Sequence, residues 1–237
     1  MYEKIVIQDI EITFFKSKKS KYINITLKPF KGVRVSVPSS ISFDSAISLI
    51  KKRMGWIKKN LKKIQDVQSS LTLFDFNTEF KTREHQLKLI KGNFEIINSI
   101  VKSNSIFVYI PKELDVRSVE VQKGIRNAIE KAWRIEAKVY LPDRVNHLAK
   151  KNNFSYNRVL VRNSKTRWGS CSAENNINLS LYLMRLPDHL IDYVILHELS
   201  HTRVKNHGPN FWQLLDQVSG NARTLDKEIK SFRTDIY

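Results

Sequence analysis

The sequence predicts an α+β fold, with a β-rich N-terminal part that includes one long helix, a helical middle and a C-terminal part built on a strand hairpin and the helix that follows it. Three observations predict it. Apolar and polar residues alternate through much of the first hundred positions. Two long stretches repeat apolar residues every three or four positions. Near residue 187, a Pro-Asp pair opens an apolar helix directly after a hairpin pattern.

Ile23, Ile25 and Leu27 alternate with Asn24 and Thr26, and Val33, Val35 and Val37 alternate with Arg34 and Ser36 until Pro38 stops the run. Period-two alternation marks half-buried antiparallel strands. Phe30-Lys31-Gly32 supplies the turn between them. A helix is expected over Phe43–Gln68, with Ile47, Ile50, Met54, Ile57, Leu61 and Ile64 on one stripe and seven Lys and Arg side chains behind it. That basic back is either a solvated surface or a phosphate-contacting ridge on which Trp56 stacks. Further strands are expected at Gln86–Ile90, Phe94–Val101 and Ile106–Ile110. A second helical stretch spans Val116–Lys151, where Pro142 kinks the helix or begins a new one. Arg158–Val161, Arg167–Ser172 and Ile177–Leu183 read as strands, the last two joined across Ala173-Glu174-Asn175-Asn176. No internal repeat is visible.

At 237 residues the chain can bury a core without disulfides, and two regions are expected, 1–112 and 113–237. No apolar run approaches the ~18 residues of a membrane span. Met1-Tyr2-Glu3-Lys4 leads straight into a strand pattern, so no secretory signal is read and the cytoplasm is the expected compartment. Cys171 is the only cysteine, which excludes an intrachain disulfide and an all-cysteine zinc site. Lys plus Arg number 41 against 23 Asp plus Glu, giving a net charge of +18. Such a surface attracts polyanions without naming one.

The chemistry lies in His197-Glu198-Leu199-Ser200-His201. Histidines at i and i+4 share a helix face about 6 Å apart along the axis, and both reach one Zn2+. Glu198 lies beside such an ion, where it can take a proton from water and return it to a leaving group. His207 follows in Lys205-Asn206-His207-Gly208-Pro209, a segment that can turn the chain back. Three histidines with one open position make the catalytic form of a zinc site. Metzincins have the same gap with a glycine where this chain has Val204, so the helix is expected to run past His201 before turning. Glu228 on the last helix is the rival third ligand, and His207 ranks first because it is local.

Arg167-Trp168-Gly169-Ser170-Cys171-Ser172 adds a second element. Gly169 lets another backbone approach or forms a bulge. A strand edge here can bind an extended peptide by strand addition. Arg167 and Tyr193 are candidates to steady an oxyanion, and Arg167 also to hold a carboxylate or phosphate. Trp168 reads as a core filler and Cys171 as a small buried hydrophobe.

Arg167–Ser172, Ile177-Asn178-Leu179, Pro187, Tyr193-Val194, His197–His201, Asn206-His207 and Phe211-Trp212 together resemble the YgjP-like metallopeptidase-domain family, of the zincin-like group that includes SprT-like and WLM proteins. The resemblance is dense from Tyr156 to Leu215, looser over Tyr22–Ile64 and weak between. Ser200 stands where the family commonly has alanine. The resemblance implies a zincin-like C-terminal part, Zn2+ on His197, His201 and His207, and Glu198 as general base. It implies a metal-dependent hydrolase, described in the family as a predicted protease. Family members are also described as nucleotide pyrophosphatases. The expectation is therefore zinc-dependent hydrolysis of a peptide or protein. The alternatives are a zinc-dependent nucleotide hydrolase and a nucleic-acid-associated protease of the SprT-like kind. The expected partners are a peptide or nucleotide, weakly bound nucleic acid on the basic surface, and no membrane.

Overall fold

The computed structural model describes residues 2–28, 32–69 and 72–232. Two compact units form, Met1–Thr72 and Leu73–Tyr237. The division thus falls at 72/73, not at the expected residue 112. Leu87, Ile106, Val108 and Ile110 share one core with the middle helix and the C-terminal elements, which ties residues 73–112 to the second unit.

The first unit is a four-stranded sheet covered by two helices. Its strands are β1 (Tyr2–Ile7), β2 (Ile10–Ser17), β3 (Asn24–Lys28) and β4 (Gly32–Pro38), in the order β1-β2-β4-β3. β2 and β4 are parallel, and the other two pairings are antiparallel. Gln8 and Asp9 both have positive φ, the twist that a two-residue hairpin demands. Of the expected Phe30-Lys31-Gly32 turn, Phe30 and Lys31 lie outside the described residues. Gly32 takes φ 63°, a conformation glycine adopts without steric cost. The expected Phe43–Gln68 helix is two helices, α1 (Phe43–Lys52) and α2 (Met54–Ser69). Arg53 leaves helical geometry between them at φ −101° and ψ 4°, two residues before the poor helix former Gly55. The apolar stripe survives the break, because Ala46, Ile50, Met54 and Ile57 all pack on Ile12, Phe14, Val33, Val35 and Val37.

The second unit opens with β5 (Gln86–Gly92), β6 (Asn98–Lys102) and β7 (Ser105–Pro111), in the order β5-β7-β6. β5 is parallel and β6 antiparallel to β7. The same arrangement holds for β2, β3 and β4. In both units the central strand ends at a proline, and a helix capped by a serine side chain (Ser42 or Ser118) follows. A β-β-β-α unit therefore recurs, although no repeat shows in the residues, because only apolar periodicity is common to the two copies. α3 (Val119–Lys151) is one 33-residue helix that continues through Pro142. The lost N–H costs one helical bond, while Ala137, Leu141, Val145 and Leu148 stay buried on either side.

β8 (Val159–Arg162), β9 (Gly169–Cys171) and β10 (Ile177–Ser180) form a sheet in the order β8-β10-β9, with β9 at its edge. The expected strand to Leu183 ends at Ser180. There the Ser180 hydroxyl accepts from the Tyr182 N–H, and residues Leu181–Arg185 turn into a 3-10 helix. Three helices complete the unit: α4 (Asp188–Ser200), α5 (Pro209–Ser219) and α6 (Ala222–Ile229). Among the described residues no helix is long and apolar enough to cross a membrane.

Gln122 on α3 is buried and clamps the start of the second unit. Its Oε1 accepts from the Phe74 N–H, and its Nε2 donates to the Phe74 and Val116 carbonyls. Gln122→Leu keeps the volume but orphans these backbone groups. Denaturant unfolding is expected to show a loss of about 2–4 kcal/mol. A loss below about 0.5 kcal/mol would mean that water replaces the amide.

Candidate metal centre

α4 carries the centre because it is fixed on every side. Leu190, Ile191, Tyr193, Val194, Ile195, Leu196 and Leu199 are all buried. Arg144 of α3 forms a bidentate pair with Asp192 at 2.5–2.6 Å, and Arg83 pairs with Asp188 in the first turn. Bidentate arginine–carboxylate geometry fixes orientation as well as distance.

The helix ends at Ser200, with His201 as its capping residue, rather than running past His201 as expected. The last carbonyls are taken by a tight turn: Thr202 donates to Leu199, and Arg203 and Val204 donate to Ser200. This turn uses no left-handed residue, so Val204 fits where a glycine-dependent turn would exclude it. Gly208 then caps α5, with Pro209 at its first position, and His207 is returned to α4.

The result is a cluster of three imidazoles. His207 Nε2 lies 3.0 Å from His197 Nε2 and 3.1 Å from His201 Nε2. Tetrahedral ligands ~2.1 Å from an ion stand about 3.4 Å apart, so the spacing suits one divalent cation. His201 Nδ1 lies 3.1 Å from the Val204 carbonyl, to which it donates in the tautomer that leaves the Nε2 lone pair free for the centre. His197, His201 and His207 are the one group of potential ligands of this kind among the described residues. Glu228 is elsewhere, with its carboxylate 2.8 Å from His189 Nε2. Burial and the neighbouring imidazoles hold His197 down at about 4, which keeps it neutral and able to ligate.

Phe211 is the platform beneath the cluster. Its buried ring stacks on His201 at 4.5 Å and meets the edges of His197 and His207 at 4.9 and 4.7 Å. Tyr193 packs its ring against His197 at 6.1 Å, and its hydroxyl reaches Asp226 of α6 at 3.4 Å.

Glu198 is 6% exposed, and burial pushes its carboxyl up to about 8, opposed only by the charge of Arg167. A divalent cation beside it would favour the carboxylate again. Arg167 is exposed and Trp168 half-buried against the core. Cys171 is half-buried, and burial raises its thiol. Of the two expectations for Gly169, a close backbone approach or a bulge, the first is met by a side chain instead: the group that approaches is Glu198. A Cβ on Gly169 would lie 2.6 Å from Glu198 Oε1 and 2.7 Å from its Cγ. Trp168, Ser170 and Ser172 pair inward with β10, as the Ser180-to-Trp168 and Ser172-to-Asn176 bonds show. By alternation, Gly169 and Cys171 turn their N–H and C=O to the open edge.

The contact predicts a coupling. Gly169→Ala is expected to destabilise the protein by about 1–3 kcal/mol through overpacking. In the Glu198→Ala background the same change should be nearly neutral, because the obstructing atoms are gone. Thermal denaturation of the four proteins measures this, and additive effects would show that the strand gives way instead.

The chain matches the model of the YgjP-like metallopeptidase domain over residues 21–232. No curated protein matches it. Among solved structures, the metallopeptidase zymogen jannalysin of Methanocaldococcus jannaschii is 24% identical, covering 38% of this chain and 94% of that one at a TM-score of 0.35. The zymogen abylysin of Pyrococcus abyssi is 21% identical over 39% and 94%, also at 0.35. With the family model covering nearly the whole chain and a histidine cluster fit for a cation, the protein belongs to the YgjP-like metallopeptidase-domain family, a family of metal-dependent hydrolases.

Proposed function

We propose that the protein hydrolyses peptide bonds, with Zn2+ held by His197, His201 and His207 and with Glu198 as the general base. The observation that carries this reading is the meeting of three imidazole Nε2 atoms, with the buried carboxylate of Glu198, the residue after His197 on α4, packed against Gly169 of the edge strand β9. Three imidazoles leave a coordination position open, and imidazole suits zinc. When bound, the ion supplies Lewis-acid polarisation of the scissile carbonyl and acidifies a water.

The chain's own groups do the rest. Glu198 accepts the water's proton and passes it to the departing amine, which a carboxylate held in one place can do in both directions. Gly169 and Cys171 offer outward N–H and C=O groups to an extended substrate, which adds as a strand and needs no side-chain specificity to align. Arg167, exposed and close enough to act on Glu198 through its charge, is the cation assigned to steady the developing oxyanion. Tyr193 has a positioning role, bracing His197 from below with its hydroxyl tied to α6.

Metal analysis and kinetics test the assignment. The purified protein is expected to carry about one zinc per chain. His197→Ala and His207→Ala should lose it, while Glu228→Ala should keep it. Glu198→Gln should keep the metal and lower peptide hydrolysis by about 10^2–10^4-fold. Zinc loss in Glu198→Gln would make Glu198 a ligand, and zinc loss in Glu228→Ala would return the third position to α6.

A further inference from the structure

Residues 1–72 hold 15 Lys and Arg but only 5 Asp and Glu, so +10 of the net +18 sits in under a third of the chain. The charge is more concentrated still on the helices. Seven cations fall between positions 51 and 63, and no acidic residue occurs from 45 to 65. All seven are exposed, and among the described residues none forms an ion pair.

Part of this charge has a structural use. Lys51 and Lys52 occupy the last turn of α1, where cations favour the helix dipole. The lysines of α2 have none. Lys58 and Lys59 lie in the first half of that helix, and Lys58–Lys62 and Lys59–Lys63 are i, i+4 pairs of like charge that destabilise it. Trp56 is 48% exposed and, at 100° per residue, shares a face with Lys59 and Lys63. The apolar stripe is already used, since Met54 and Ile57 are buried in the unit's own core. The helix therefore has no free apolar face to lay into a lipid surface.

We infer that the polar side of α2 binds single-stranded nucleic acid, with a base stacked on Trp56, phosphates on Lys59 and Lys63 beside it, and further phosphates on Lys58 and Lys62, which lie farther round the helix. Phosphates neutralise like-charge pairs that make no ion pair among the described residues. An exposed indole among lysines is a sequence-tolerant stacking platform. The inference stands on the first unit alone and does not depend on the hydrolytic reading.

Fluorescence anisotropy of a labelled oligothymidylate with the full-length protein tests it. Affinity is expected to fall steeply with salt, with a slope of about 0.7 per phosphate engaged. The K58E/K59E/K62E/K63E variant should lose at least about tenfold in affinity and flatten that slope. A charge-matched control, K91E/K102E/K123E/K138E, alters exposed lysines of the second unit and should lose much less. Replacing the four α2 lysines with Gln gives a milder version in case the Glu variant does not fold. Trp56→Ala should weaken binding at least about fivefold. Peptide hydrolysis should be unchanged in the lysine variants. Equal losses in both quadruple variants would reduce the effect to net charge and overturn the proposal. An unchanged α2 variant, or binding to phosphatidylserine vesicles without binding to the oligonucleotide, would overturn it equally.

Discussion

Three imidazole nitrogens, with His207 Nε2 held about 3 Å from each of the other two, set the terms for the whole second unit. At that separation a single N–H can be shared among the rings, whereas a divalent cation meets three lone pairs at once. The arrangement tolerates little drift, since a shift of a few tenths of an ångström at one ring changes a ligand distance by a chemically significant amount. The surrounding structure answers that demand. Two ion pairs, Arg83–Asp188 and Arg144–Asp192, lock α4 by its N-terminal half, and its C-terminal half is closed by the turn that delivers His207. Phe211 touches all three rings, so the cluster rests on one rigid surface rather than on three independent supports.

Much of this was legible in the sequence, and the reasons are local. Histidines four apart on an apolar helix share a face, and a third histidine before Gly-Pro is placed where a local turn can return it toward them, which ranks it ahead of the distant Glu228 without excluding that rival. Val33, Val35 and Val37 form a buried strand face for an equally local reason, the period of two. The parts that were not legible depend on contacts across the fold. Gly169 was singled out as a point of close approach, but nothing in its neighbours says that the approaching group is Glu198, 29 positions later. Tyr193 sits one turn before His197, which suggests a role in the chemistry, while its tie to Asp226 depends on how α6 packs.

The errors of boundary have physical causes of the same kind. Pro111 looked like the end of a region because proline ends strands, and it does end β7. Yet the sheet it closes shares a core with α3, so the compact unit begins at Leu73 instead. Val204 looked like an obstacle because glycine-dependent turns exclude β-branched residues. The chain turns there by i→i+3 and i→i+4 bonds at ordinary backbone angles, and the obstacle never arises. The recurrence of the β-β-β-α arrangement escaped the residues altogether, because alternating Val in one copy and Ile and Val in the other satisfy the same burial without resembling each other.

Gly169 joins the two requirements of the proposed reaction at one residue. Its missing side chain is the space that Glu198 occupies, and its backbone belongs to the open edge of β9. On the proposed edge pairing, the strand that aligns the substrate and the carboxylate that moves the proton are separated by one van der Waals contact. Any larger residue would have to displace either the strand or the base. A backbone fixed by its pairing to β10 is stiffer than a long side chain, so the displaced partner would be Glu198. The short distance between base and edge is therefore a consequence of glycine's lack of volume rather than of its freedom in φ, which is not used here.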